Sequence, residues 1–262
     1  MKSQKSSGCC LTIAGSDSGG NAGVQADLRA FHAYGLHGCT VFAALTAQNP
    51  FGVSAIHAIP ADFVGAQLDA VLGTYDIRAL KTGMLAEPTV IRVVAEKLAV
   101  HPEITKVVDP VMVATSGAKL ISDVAIETLK DMLLPLATLM TPNIPEAEAL
   151  CGRAASAREL AKELQGRFGC AVLVKGGHGE GPDAVDFLYD GKDFKEFTMP
   201  RIENPVSTHG TGCSLAAALA AELALGHDLA TAVTGAKRYV YTAIENSYLV
   251  GKDCGVLGFV EV

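Results

Sequence analysis

The 262-residue sequence has no tryptophan, and its aromatics together make only 6 %. That leaves little with which to stack the bases of single-stranded nucleic acid. Lys and Arg occur singly or in short pairs and the net charge is −7, so gripping a phosphate backbone is excluded as a main task and no nucleic-acid partner is expected. Long apolar runs are absent too. Cys9–Ala14 is apolar for only six residues, and the stretch 214–225 is broken by Glu222. Neither suits a signal core or a membrane span, so no membrane partner is expected. The seven cysteines are odd in number, irregularly spaced and without a CxxC pair. This argues against a disulfide scaffold, gives a zinc site little support and fits reduced thiols in the cytoplasm. The GxxxxGK[ST] spacing of a Walker A loop is missing. Gly19, Gly20 and Gly23 lack the GxGxxG spacing, and Asp27 follows too soon for a ribose carboxylate.

What is present is an apolar-rich chain, 49 % hydrophobic, long enough to fill a sizeable core. Apolar runs of strand length alternate with segments of helical period. Strands are predicted at Cys10–Ala14, Cys39–Ala44, Ala79–Thr82, Lys106–Val108, Thr138–Met140 and Cys170–Lys175, with Val53–Ile59 β-like. Thr46 to Asn49 reads as the start of a loop. Ala184–Tyr189 and Phe194–Met199 alternate as a hairpin around Asp190-Gly191. Helices are predicted at Val24–Tyr34 with Gly35 behind it, Asp62–Leu72, Thr89–His101, Asp123–Leu133, Ile144–Leu150, Ala157–Arg167, 213–225 and Leu229–Asn246. Continuous apolar strands alternating with helices indicate an α/β fold with a mostly parallel sheet covered on both faces. No linker or repeat divides residues 1–262, which read as a single domain. Ligands in such folds bind beyond the C-terminal strand ends, where the polar and glycine-rich segments fall.

One of these segments is His209-Gly210-Thr211-Gly212-Cys213-Ser214, running straight into an Ala/Leu helix. The first N–H groups of a helix have no internal partner and its dipole favours negative charge, which makes this end an anion site. Cys213 sits on it, where a thiol pKa is expected to fall. A phosphate cradle with a reactive group at its rim suggests phosphoryl transfer. Asp109, directly after a strand and before a proline, either caps the turn or supplies an oxygen ligand to a nucleotide-bound magnesium ion. Glu146, three residues after Asn143, is either the partner in a capping box or a second such ligand. Asn143 is placed to orient water or touch phosphate. Lys175 closes an apolar strand before Gly176-Gly177, either snorkelling or contacting phosphate or ribose; Lys81 has a similar setting, where the structural role is the stronger. His178 and His209 read as polar loop residues rather than metal ligands. The Gln48 amide can match a heteroaromatic edge. Asp27 is either a solvated helix residue or an acceptor from an amine or hydroxyl.

Seven segments carry a family resemblance: LTIAGSDSGGNAGVQADL at 11–28, AALTAQN at 43–49, KTGML at 81–85, VVDPVM at 107–112, TPNIPEAE at 141–148, VKGG at 174–177 and HGTGCS at 209–214. In them the chain resembles the hydroxymethylpyrimidine/phosphomethylpyrimidine kinases of thiamine biosynthesis, of the ribokinase-like superfamily. The resemblance implies a three-layer α/β/α sandwich, ATP as phosphate donor, Mg²⁺, a small pyrimidine substrate, a cytoplasmic setting and a homodimer. It assigns Gly15, Asp27, Gln48 and Met84 to the pyrimidine pocket, with Val111 on the ring face. Asn143 and Glu146 match the magnesium–phosphate motif, with Asp109 beside it. Lys175, Gly177 and the loop from Thr208 through Thr211 to Gly212 match nucleotide contacts. The N–H groups at Gly210 and Gly212 and the thiol of Cys213 fall at the catalytic position, where many sugar kinases of the superfamily carry aspartate. Asn21 departs from the small residue usual at its position, and the tail after Asn246 matches nothing. Two rival readings are a pyridoxal or pyridoxine kinase of the same superfamily, against which Gln48-Asn49 speaks, and a non-catalytic nucleotide-binding regulator.

Overall fold

The computed structural model describes residues 8–112, 121–177 and 181–262. Nine strands form one sheet: β1 (Cys9–Asp17), β2 (His37–Asn49), β3 (Gly52–Ala58), β4 (Ile77–Thr82), β5 (Thr105–Val108), β6 (Leu139–Met140), β7 (Ala171–Val174), β8 (Asp183–Tyr189) and β9 (Phe194–Pro200). Their order is β3-β2-β1-β4-β5-β6-β7-β8-β9. From β2 to β7 neighbours are parallel; the pairs β2–β3, β7–β8 and β8–β9 are antiparallel.

Successive side chains on a strand face opposite ways, and this splits the core in two. Leu11 and Ile13 of β1 join one cluster, packed by α2 (Ala61–Leu72), α3 (Pro88–Ala99), α4 (Asp123–Thr128), α5 (Ile144–Cys151) and α6 (Ala157–Phe168). Cys10 faces the other cluster, packed by α1 (Gly23–Ala33), α7 (Thr211–Ala224) and α8 (Leu229–Glu245). The three-layer α/β/α sandwich with a mostly parallel sheet is therefore the observed architecture. No helix among the described residues is long and apolar enough to cross a membrane.

Two expectations differ from what is found, and one segment without an expectation acquires a structure. The strand predicted to stop at Ala44 continues to Asn49, because β3 turns back and pairs with Ala44 to Asn49 around a bulge at Ala47/Gln48. The polarity of Thr46, Gln48 and Asn49 marks a strand end with solvent or ligand beside it, not a loop. The helix predicted over Asp123–Leu133 is α-helical only to Thr128, capped as expected by Ser122. It then widens into a π turn over Leu129–Leu133, just ahead of Pro135, whose ring bars a regular continuation. The tail beyond Asn246 forms a small antiparallel hairpin, β10 (Tyr248–Val250) with β11 (Cys254–Val256).

The chain leaves β1 for β2 on one side and returns to β4 on the other, so β1 and β4 flank the point where the winding reverses. Crevices open at the C-terminal ends of such strands. Farther along, a buried ion pair ties the sheet to α8. Lys237 donates to Asp186 Oδ2 at 2.6 Å, and Asp186 Oδ1 accepts from the Gly176 N–H at 2.8 Å. Breaking a buried pair from one side leaves an uncompensated charge. Lys237→Ala is therefore expected to cost about 3–5 kcal/mol. A lowered urea midpoint with an unchanged m-value would bear this out.

Candidate active site

A cavity of about 810 Å³ opens at the C-terminal ends of the parallel strands. Of the predicted site residues, Gly15, Gln48, Met84, Asp109, Val111, Asn143, Glu146, Lys175, Gly177, Thr208, Gly210, Thr211, Gly212 and Cys213 all line it. Asp27 does not, and this corrects the expectation that it faces the pyrimidine. It is fully buried beneath the wall, where its carboxylate accepts from Lys81 Nζ at 3.0 and 3.1 Å and from Thr12 Oγ1 at 2.6 Å. Burial alone would lower the Lys81 ammonium, but the Asp27 carboxylate more than offsets that and holds it above its ordinary value. Lys81 itself lines the cavity, so the cation, not the acid, meets the site.

The glycine-rich loop after β1 is organised by Asp17. Its Oδ1 accepts from Gly19 N–H at 2.8 Å, and its Oδ2 from Asn21 and Ala22 N–H at 3.0 and 2.9 Å. Ser18 clips the loop to the end of β2: its hydroxyl donates to the Gln48 carbonyl and accepts the Gln48 N–H, both at 2.8 Å. Asn21, the unusual residue, is buried. Its carbonyl oxygen stands where a Cβ at Gly210 would fall, and Gly210 has φ +88°. Only glycine meets both demands at the head of α7. Gly176 is constrained likewise, since a Cβ there would overlap the Val185 carbonyl.

Helix α7 begins with no side-chain cap and no acid in its first turn. Helix α1 also starts without a side-chain cap, and the Gly23 backbone at its start pulls the Cys213 thiol down. Segment 209–213 spans the cavity. At one end His209 Nε2 lies 3.3 Å from the Gln48 amide nitrogen and 3.7 Å from Asp17 Oδ2. At the other, a Cβ on Gly212 would sit 3.8 Å from Lys175 Nζ. Cys213 follows on the first turn. Burial pushes its thiol up, the nearby Lys81 pulling the other way and Asp27 and Asp109 reinforcing the rise. The expected lowering by the helix end is thus overcome by desolvation, and the thiol is neutral at pH 7.

Lys175 donates to Asp109 Oδ1 at 2.8 Å, and Thr141 Oγ1 donates to the same oxygen at 3.1 Å. Burial would lower the Lys175 ammonium; the Asp109 and Glu146 carboxylates outweigh that and raise it. Asn143 and Glu146 do form the capping box of α5. Glu146 accepts from Asn143 N–H at 2.8 Å and Met112 N–H at 3.3 Å. Capping does not exhaust its carboxylate, which lines the cavity, and burial pushes the carboxyl above its ordinary range. A hard cation would favour the ionised form, and carboxylate oxygens are the donors such an ion takes. Residues missed in the sequence are Asp17, His209 and the Asp186–Lys237 pair, all at the cavity wall. His209 was within reach as the first residue of HGTGCS; Asp186 had no local signal. His178 lies outside the described residues.

Residues 17–258 match the family model described as phosphomethylpyrimidine kinase. The chain belongs to this family. It is 47 % identical over 257 residues to the thiamine biosynthesis bifunctional protein ThiED of Geobacter sulfurreducens, covering 97 % of this chain and 52 % of that protein, about half its length. It is 46 % identical over 239 residues to the hydroxymethylpyrimidine/phosphomethylpyrimidine kinase of Rhizobium meliloti, covering 89 % of each. Among solved structures, the ADP complex of Bacillus subtilis pyridoxal kinase superimposes with a TM-score of 0.89 at 33 % identity, covering 96 % of this chain and 97 % of that one.

The loop built on Asp17 has a pH signature. Burial would raise this carboxyl, but the neighbouring His209 ring and hydrogen bonds from the Ala22, Gly19 and Asn21 N–H groups hold it below its usual value. A depressed folded pKa contributes stability above the unfolded value of about 3.9 and loses it as the pH falls through the folded one. Urea denaturation across this acid range is expected to show a shallower fall in stability for Asp17→Asn than for the unaltered protein.

Proposed function

We propose that the protein transfers the γ-phosphoryl group of ATP to the hydroxymethyl group of 4-amino-5-hydroxymethyl-2-methylpyrimidine, and then phosphorylates the resulting monophosphate to the diphosphate. The family is one of kinases, and one of the relatives named above is a thiamine biosynthesis bifunctional protein. The observation that carries the reading is segment 209–213. It runs from the amide of Gln48 to the ammonium of Lys175, so one stretch of chain abuts both a ring-reading group and a phosphate-binding group.

In this proposal the ring packs between Met84 and Val111, with Gln48 on its edge. Gln48 is well suited to this because its backbone is fixed at Ser18. The triphosphate lies along the N-terminus of α7, with the N–H groups of Gly210, Thr211 and Gly212 and the Lys175 ammonium on its oxygens. Thr208, Asn143 and Gly177 complete the nucleotide side. Asp109 and Glu146 would hold magnesium, directly or through water; when bound, that ion neutralises charge on the phosphates. Cys213 orients the hydroxyl by hydrogen bonding. A neutral thiol suffices because a loose phosphoryl transition state needs positioning and charge stabilisation more than a strong base. Lys81, held cationic by Asp27, adds positive charge beneath the reacting group. The edge hairpin β2–β3 leaves Leu45, Phe51 and Ile56 exposed, which supports pairing of two chains as a homodimer.

A second reading, pyridoxal kinase, is favoured by the close superposition on that enzyme. A coupled assay with ATP and Mg²⁺ at matched concentrations, with products followed by mass, separates the two. Turnover of the pyrimidine, with one and then two phosphates added, is expected; preferential turnover of pyridoxal would overturn the pyrimidine reading. Cys213→Ala is expected to keep nucleotide affinity and lose about 10²-fold in turnover, the scale of a misplaced reacting group. Cys213→Ser, still able to hydrogen-bond, should recover part of it. A serine variant as impaired as the alanine one would argue instead for a thiolate base.

A further inference from the structure

At the other end of the sheet, away from the cavity, three side chains with soft donor atoms meet. Parallel pairing sets Cys9 beside His37 and Leu11 beside Cys39. His37 and Cys39 are two residues apart on β2 and so share a face, and Cys9 and Cys39 belong to the same buried cluster. The two sulfurs and a ring nitrogen of His37 lie within 4.8 Å of one another. Both cysteines are free thiols, buried at 9 % and 6 % exposure. His37 is exposed, and its ring stacks on Tyr75 with centroids 5.6 Å apart and planes at 19°. Tyr75 thus fixes the ring's orientation.

We infer that Cys9, His37 and Cys39 form a binding site for a soft divalent ion, zinc by preference. Two sulfurs and one imidazole nitrogen are the donor set zinc takes, and three protein ligands leave the fourth tetrahedral position to water. The exposed edge of His37 gives the ion a way in. Each coordinating thiol gives up its proton to solvent on binding. The hard magnesium ion of the proposed kinase reaction prefers oxygen ligands and does not compete. From Cys9 to Gly15 along β1 is about 20 Å at 3.3 Å per residue, so the site is separate from the catalytic cavity. A bound ion would staple the starts of β1 and β2 together.

The test uses the reduced full-length chain titrated with Co²⁺, a spectroscopic stand-in for zinc. One ion per chain is expected to give a sulfur-to-cobalt charge-transfer band with tetrahedral d–d bands, and added Zn²⁺ should bleach them. Loss of an outer-shell partner alone typically costs about 10–100-fold in metal affinity, so His37→Ala and Cys39→Ser should each weaken binding at least that much. His37 is exposed, and its replacement tests the site without disturbing the core. Cys213→Ala should bind as the unaltered protein does. No charge-transfer band, a band that survives both His37→Ala and Cys39→Ser, or a band that depends on Cys213 would each overturn the inference.

Discussion

Helix α7 carries the constraint on which the cavity depends. From Ser214 to Glu222 every residue is buried, and most are alanine, so the helix lies close against β1, β4 and β5 and against its neighbours α1 and α8. A helix gripped along its whole length cannot tilt to hide its open end. Its first N–H groups must look outward to a ligand or to water. Gly210 makes that end reachable by turning through a left-handed conformation, with the Asn21 carbonyl standing where a Cβ would fall. The glycine loop and the helix start are thereby registered against each other.

A second layer of organisation is electrostatic. Three lysines line the cavity, and each is paired with an aspartate from another element. Lys81 with Asp27 is sealed in the core, whereas Lys175 with Asp109 is at the cavity wall. The first pair is a fixed feature, since both members have their partners inside the protein. The second can exchange partners when phosphates and a cation arrive, because an anionic ligand offers Lys175 what Asp109 now supplies. Burial, with Asp27 and Asp109 adding to it against Lys81, pushes the Cys213 thiol up, and in the proposed reaction this shifts the weight from proton abstraction to alignment.

Much of this was legible in the sequence. The Ala/Leu run after HGTGCS announced a buried helix with an open end, and apolar strands alternating with helices announced the layered sheet. Asn143 and Glu146 three apart announced the capping box that is found, while their part as ligands belongs to the proposed function. What stayed hidden was decided by partners distant in the chain. Asp27 and Lys81 are separated by 54 positions, so no local pattern links them. The extension of β2 depended on β3 folding back along it. The cluster of Cys9, His37 and Cys39 has no CxxC pair, and its third member joins only through the register of two parallel strands. Spacing within one segment gives a zinc site little support, and spacing of that kind does not register ligands assembled across a sheet.

The division of labour at segment 209–213 has a consequence for how such an enzyme can change. On the proposed phosphate side the groups are largely main-chain N–H donors, which every amino acid but proline possesses. On the proposed ring side they are side chains, among them Gln48 on an edge hairpin tied to β1 and its loop through Thr46 and Ser18. Mutation can rewrite the second vocabulary without touching the grammar of the first. A lineage built on this plan is free to drift from one aromatic alcohol to another while its hold on the triphosphate stays intact.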